Sequence, residues 1–166
     1  MYMSYITPKK YSLNNEWNTP KYVWDKIIPF ISKDKIIWLP FYNDGASGKY
    51  LEDCGFDIVH NTDDFWESNH GDIVIDNPPY NSKYIKRIKE QIMIRLIELD
   101  KPFMLLLPST SVQTKYFKSI YNEHFQLIIP KEKYDFQRFE GDKTKCPFYT
   151  LWVCYKMGFE KDFYII

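Results

Sequence analysis

The sequence predicts an α/β fold: a mostly parallel β-sheet with helices on both faces and an antiparallel hairpin near the C-terminus. Three observations carry this. Four short, nearly continuous apolar runs, Lys35–Leu39, Phe56–His60, Asp72–Asp76 and Phe103–Leu107, read as strands buried on both faces. Segments with helical spacing of apolar residues fall before, between and after them, the pattern of alternating α and β elements. The last two apolar runs, Phe125–Ile129 and Phe148–Met157, have no evident helix between them, so they pair as antiparallel neighbours.

Each element has a local reason. Residues 1–15 are polar and irregular and read as an arm, followed by a single domain over residues 16–166. Asn18-Thr19-Pro20 reads as a helix start, with Thr19 as cap and Pro20 at the first helical position. Val23, Trp24, Ile27, Ile28 and Ile31 continue at helical spacing. Pro40 to Gly48 is a polar loop, and Lys49–Cys54 is a short helix stopped by Gly55. Residues 61–71 form a loop. Ser82 to about Leu99 is the longest helical pattern, with Ile85, Ile88, Ile92, Leu96 and Leu99 on one side. Gln113–Tyr121 is helical, and Tyr134–Cys146 is a charged connection.

Composition narrows the function. The chain has 166 residues, 45% apolar and 19% aromatic, enough for a sizeable core. The aromatic surplus fits a Tyr- and Phe-rich core or the lining of a cleft. The formal net charge is zero, which argues against holding duplex DNA by bulk electrostatics while allowing a local basic patch. Three of the 22 basic residues are arginines (Arg87, Arg95, Arg138), so little bidentate reading of guanine edges is expected. Cys54, Cys146 and Cys154 form no CxxC pair, and His60, His70 and His124 are scattered. Neither a disulfide framework nor a metal site is therefore expected. No apolar run approaches the roughly 20 residues of a membrane span, and no secretory signal is seen, so a cytoplasmic protein with no membrane partner is expected.

The chemistry concentrates at Asp76-Asn77-Pro78-Pro79-Tyr80. Ligands of open α/β sheets bind at the carboxyl ends of strands, and this segment follows the third strand directly. Two consecutive prolines cannot extend the strand and fix their own backbone angles. A stiff turn of acceptors results, suited to an amino group with two hydrogens to donate. An aromatic amine or amide nitrogen is a poor nucleophile because its lone pair is delocalised. Hydrogen bonds to the Asn77 carboxamide oxygen and the Pro78 carbonyl push that nitrogen towards sp³ geometry and release the pair for attack on a methyl group. Tyr80 offers a face on which a base could stack, a contact worth roughly 1–3 kcal/mol.

Asp76 to Tyr80 resembles the catalytic motif of S-adenosylmethionine-dependent amino-group methyltransferases, and the further motifs are similar to those of phage-type DNA adenine-N6 enzymes. Pro40-Phe41-Tyr42-Asn43-Asp44-Gly45 resembles the methionine-donor loop of that family. Glu16-Trp17-Asn18-Thr19-Pro20 resembles the segment that closes over the donor, and Asp64-Phe65-Trp66 the short acidic-aromatic motif that contacts its adenine. Pro147-Phe148 and the last strand resemble the closing hairpin. The likeness runs from about residue 16 to 157, with the motifs in the family's order. It implies a Rossmann-like methyltransferase fold, S-adenosylmethionine as cofactor, and donor contacts at Trp17, Asn18, Thr19, Pro40 to Gly45, Asp63, Asp64 and Phe65. It also suggests a viral or phage source. The sequence departs from the pattern at Asn43, where the family has its first loop glycine, although Asn tolerates positive φ. It departs again after the second strand, where His60 and Asn61 replace the acid that bonds the donor ribose. Asp44 faces the donor's amino group or solvent, and Asp63 and Asp64 are donor contacts or solvated loop charges.

There is no room for an inserted target-recognition domain. Substrate contacts are therefore expected from Tyr80, from Lys83, Lys86 and Arg87 in the basic helix start, and from Arg138 and Phe139 in the charged connection. The basic stretch either steers phosphates or is a solvated helix face. The expected activity is methylation of the adenine N6 amine in DNA, with a partner subunit or a second copy supplying any target recognition. RNA adenine and protein glutamine amides present the same delocalised nitrogen. A binding protein on a decayed scaffold is the reading from another class.

Overall fold

The computed structural model describes residues 18–136 and 146–166. Among these residues seven strands form one sheet: β1 (Ile36–Trp38), β2 (Asp57–Val59), β3 (Ile73–Asp76), β4 (Phe103–Pro108), β5 (Phe125–Ile129), β6 (Thr150–Tyr155) and β7 (Phe163–Ile165). Their order is β2-β1-β3-β4-β6-β5-β7. β2, β1, β3 and β4 are mutually parallel, β6 runs antiparallel between β4 and β5, and β7 pairs parallel to β5. The expected mostly parallel α/β sheet and the antiparallel β5–β6 pair are both present. β7 was not foreseen, because three residues with alternating exposure give too short a pattern to register.

Among the described residues, four α-helices accompany the sheet: α1 (Lys21–Ile27), α2 (Ala46–Asp53), α3 (Ile88–Glu98) and α4 (Lys115–Ile120). Alternation along the strands divides the core. Ile73, Ile75, Met104 and Leu106 face Val23, Trp24 and Ile27 of α1 and Leu51 of α2. Val74, Phe103, Leu105 and Leu107 face Ile88, Ile92 and Leu96 of α3 and Phe117 of α4. Helices thus cover both faces, and the near-continuous apolar strands are buried on both sides for that reason. None of the described helices is long and apolar enough to cross a membrane.

Several boundaries differ from the sequence reading, each for a local reason. Pro20 is the residue before α1 rather than its first, and no side chain caps the helix; the Thr19 hydroxyl is engaged elsewhere, by Asn77. α1 tightens into a 3₁₀ turn at Ile28–Phe30, where Pro29 has no N–H for an α-helical bond. α2 begins at Ala46, ahead of Lys49, because Asp44 Oδ1 accepts from Ala46 N at 2.9 Å. The long pattern from Ser82 is split. Ser82 Oγ accepts from the N–H groups of Tyr84 and Ile85 in a separate turn, Arg87 takes a left-handed conformation (φ 54), and α3 starts only at Ile88. The stretch from Gln113 is likewise divided, into a 3₁₀ turn (Ser109–Gln113) and α4, which Thr114 caps by accepting from Phe117 N at 3.0 Å. The expected arm over residues 1–15 lies outside the described residues.

The start of β3 is pinned to β1 through Gly71 and Asp72. Asp72 N donates to Ile36 O at 2.8 Å, and Asp72 Oδ2 accepts from Ile36 N at 2.8 Å. Lys101 Nζ donates to Gly71 O at 2.6 Å and to His70 O at 3.2 Å. Gly71 has φ +59, and a Cβ there would stand 2.7 Å from Ile36 O. Both the angle and the space exclude a side chain. Gly71→Ala is therefore expected to destabilise the protein by more than about 1 kcal/mol, read as a lowered urea midpoint with an unchanged m-value.

Candidate active site

The strand order reverses between β1 and β3: from β1 the chain proceeds outward to β2, and β3 lies on β1's other side. The carboxyl ends of β1 and β3 therefore flank a switch point, the place where open α/β sheets bind ligands. Two loops meet there, Leu39–Gly45 after β1 and Asn77–Tyr80 after β3.

Asp76 joins them. The residue is 3% exposed. Oδ2 accepts from Phe41 N at 2.8 Å, and Oδ1 accepts from its neighbour Asn77 N at 2.8 Å. Burial pushes its pKa up to about 8, against the pull of these two N–H donors. Asp76, one of the residues the sequence marks as catalytic, thus ties the two loops to each other through backbone N–H groups.

Asn77 follows, half-buried, and its Nδ2 donates to Thr19 Oγ1 at 3.1 Å. Pro78 is buried and Pro79 half-buried. Tyr80 is 8% exposed; its hydroxyl donates to Leu106 O at 3.0 Å, and the ring meets Phe148 edge-on at 5.4 Å. Burial raises its pKa well above the usual phenol value. The expected open stacking face is therefore not what Tyr80 presents: the ring sits in the core and pegs the turn to β4. Lys89 was not among the expected site residues. Its Nζ donates to Tyr80 O at 3.0 Å, and burial lowers its pKa. The signal was present, since Lys89 lies among the helix-start lysines, but only folding brings it back against the turn.

The first loop turns as the residue types require. Asn43 takes φ 49 and Gly45 φ 79, so Asn does serve in a left-handed position here. Asn43 Nδ2 donates to Asn18 Oδ1 at 2.7 Å, and Asn18 Nδ2 lies 3.4 Å from Asp44 Oδ2. Asn18, Asn43 and Asp44 thus form one polar cluster next to Thr19. Pro40 is buried, while Phe41 and Tyr42 are half-buried.

The β2 side is less uniform. Phe65 is 1% exposed and packs on Phe41 (5.2 Å between centroids) and Trp38 (5.8 Å), so it backs the first loop rather than lining an open surface. Asp64 Oδ1 accepts from Trp66 N at 2.8 Å and closes a local turn. Asp63 is exposed and accepts from Asn61 Nδ2 at 2.9 Å, with His70 Nε2 at 3.0 Å. His60 follows β2 directly, at the place where the resemblance puts a ribose-binding acid in other chains. Its ring packs tilted against Tyr42, 4.6 Å between centroids, and lies over Gly48, where a Cβ would come within 1.8 Å of Nδ1. Burial lowers the His60 pKa despite the neighbouring Tyr42 and Phe41 carbonyls, favouring the neutral ring. Its Nε2 is a buried polar atom with no hydrogen-bond partner among the described residues.

Of the expected substrate contacts, Lys83, Lys86 and Arg87 are exposed on the turn after Tyr80, with Arg87 Nε 3.3 Å from Glu90 Oε2. Trp17, Arg138 and Phe139 lie outside the described residues. No model of a known protein family matches the chain, and no curated protein matches it.

An unfolded Asp titrates near about 3.9. With Asp76 raised to about 8 in the fold, the native state keeps a proton that the unfolded chain has lost between these values. The stabilising share is complete below about pH 4 and disappears as pH rises towards 8. Asp76→Asn removes this titration and also turns an amide N–H₂ towards one of the two backbone donors. Urea unfolding from pH 5 to 9 is expected to give a steeper loss of stability with pH in the wild type than in Asp76→Asn; parallel curves would remove Asp76 as the source.

Proposed function

We propose that this chain transfers a methyl group from S-adenosylmethionine to the exocyclic N6 amine of adenine in DNA, on a Rossmann-like scaffold. The observation that supports it most is the Asn77 amide, oriented by Thr19 at the carboxyl end of β3 and tied through Asp76 to the loop after β1.

The residues around the first loop fit the donor. Asn18, Asn43 and Asp44 supply carbonyl and carboxylate oxygens for its ammonium group. The buried Nε2 of His60, at the end of β2, gains a partner when a ribose hydroxyl lies beside it. Asp63 and Asn61 extend that polar edge. Bound S-adenosylmethionine supplies a methyl carbon on a positively charged sulfur, so that the N–C bond forms as the C–S bond breaks with its electron pair going to sulfur.

The chain's own contribution is to make the nitrogen a nucleophile. Asn77 Oδ1 and Pro78 O accept the two amine hydrogens and draw the nitrogen out of conjugation. Because the turn is already stiff, little reorganisation is needed as positive charge develops on that nitrogen. The proton leaves to water after attack, so no strong base is required beforehand. The Tyr80 hydroxyl bond to Leu106 O and the Lys89 bond to Tyr80 O hold the turn in place. Any target recognition comes from a partner subunit or a second copy.

The test is incubation with methyl-labelled S-adenosylmethionine and adenine-containing DNA. Label is expected in DNA and not in RNA or protein fractions. Asn77→Ala is expected to reduce transfer by roughly 10²-fold or more, the scale for losing one preorganised group at a developing charge. His60→Ala is expected to weaken donor binding in calorimetry with a smaller effect on the chemical step. Label in RNA or protein alone would replace the substrate, and absence of donor binding would overturn the reading.

A further inference from the structure

Among the described residues, the two most exposed large hydrophobic side chains are Tyr84 (71%) and Tyr149 (64%). Both lie on the edge of the sheet that carries the Asp76–Tyr80 turn. Tyr84 is four residues past Tyr80, in the turn that precedes α3. Tyr149 immediately precedes β6, whose first residue pairs with the last of β4 (Thr150 with Pro108), and its carbonyl accepts from Ser109 N at 2.8 Å. Since β4 is parallel to β3, Tyr149 stands at the same carboxyl edge. Phe148, its neighbour, touches the Tyr80 ring.

Cations accompany these rings. Lys133, in the segment leaving the carboxyl end of β5, holds its Nζ 5.5 Å from the Tyr149 ring centroid. Lys83 and Lys86 are exposed on either side of Tyr84. Exposed rings with cations beside them match a strand of unpaired nucleic acid, which offers base faces for stacking and phosphates for the lysines. A duplex hides its base faces and offers groove edges, which planar phenols read poorly and bidentate arginines read well. Among the described residues only Arg87 and Arg95 are arginines; Arg87 pairs with Glu90, and Arg95 lies in α3 with a buried Nε.

We infer that Tyr84 and Tyr149, with Lys83, Lys86 and Lys133, form a track for single-stranded DNA at the sheet edge that carries the catalytic turn. The inference rests on the proposed reading only in taking that turn as the place where the base is presented. It makes unpaired DNA the substrate class, and it removes the need to extract a base from a paired stack at this surface.

Fluorescence anisotropy with a labelled thymine-only oligonucleotide, which holds no methyl acceptor, tests the track apart from catalysis. The single strand is expected to bind at least tenfold more tightly than a duplex of equal length at the same salt. Tyr84→Ala and Tyr149→Ala are each expected to weaken single-strand binding by roughly tenfold, and Tyr→Phe to restore it, since the ring and not the hydroxyl stacks. Lys133→Ala is expected to flatten the salt dependence. Alanine variants that bind as wild type, a preference for the duplex, or a tenfold preference for single-stranded RNA would each overturn it. Calorimetry with S-adenosylmethionine on the same samples separates the two ideas: donor binding without effects of the tyrosines defeats the track alone, while tyrosine effects without donor binding defeat methyl transfer alone.

Discussion

Asp76 accepts one hydrogen bond from the N–H of Phe41 and one from the N–H of Asn77, from a position almost wholly out of solvent. The rest of the candidate site depends on this bridge. A buried carboxyl is costly unless its oxygens are engaged, and here both are given to backbone. The two loops at the ends of β1 and β3 are thereby fixed to each other. Moving either would strip a partner from a group that water does not reach.

Around that bridge the turn is held from three directions. Thr19 takes the Asn77 amide from the α1 side, Leu106 takes the Tyr80 hydroxyl from β4, and Lys89 reaches back from α3 to the Tyr80 carbonyl. Each anchor comes from a different element, so the turn's geometry follows from packing of the whole sheet. Tyr80 contributes through its core position, with the ring against Phe148. Among the described residues, the most exposed large rings lie further out, at Tyr84 and Tyr149.

The first loop and the β2 side follow a different logic. Asn43 and Gly45 provide the positive φ angles, and the Asn18–Asn43–Asp44 cluster links the loop to the approach to α1. His60 places a neutral ring just after β2, and Gly48 leaves the space that ring occupies. A neutral imidazole both donates and accepts, which suits hydroxyl groups, and it adds no charge to a half-buried position.

The sequence by itself determined the α/β alternation, the strands from Ile36 to Tyr155, the placing of Asp76 to Tyr80 at a strand end, and the left-handed tolerance of Asn43. These follow from local properties: apolar runs, proline's missing N–H and the short side chain of asparagine. Tertiary structure alone supplied the contacts. Thr19, read as a helix cap and a donor contact, accepts from Asn77; Asp76, read as catalytic, accepts from the backbone of two loops; Tyr80 and Phe65, read as ligand contacts, are core; Lys89 bonds the Tyr80 carbonyl. Thr19 and Asn77, Phe41 and Asp76, and Tyr80 and Leu106 are each far apart in sequence, so no local pattern encodes these pairings. β7 escaped for the same reason: three residues become a strand only because β5 offers an edge to pair with.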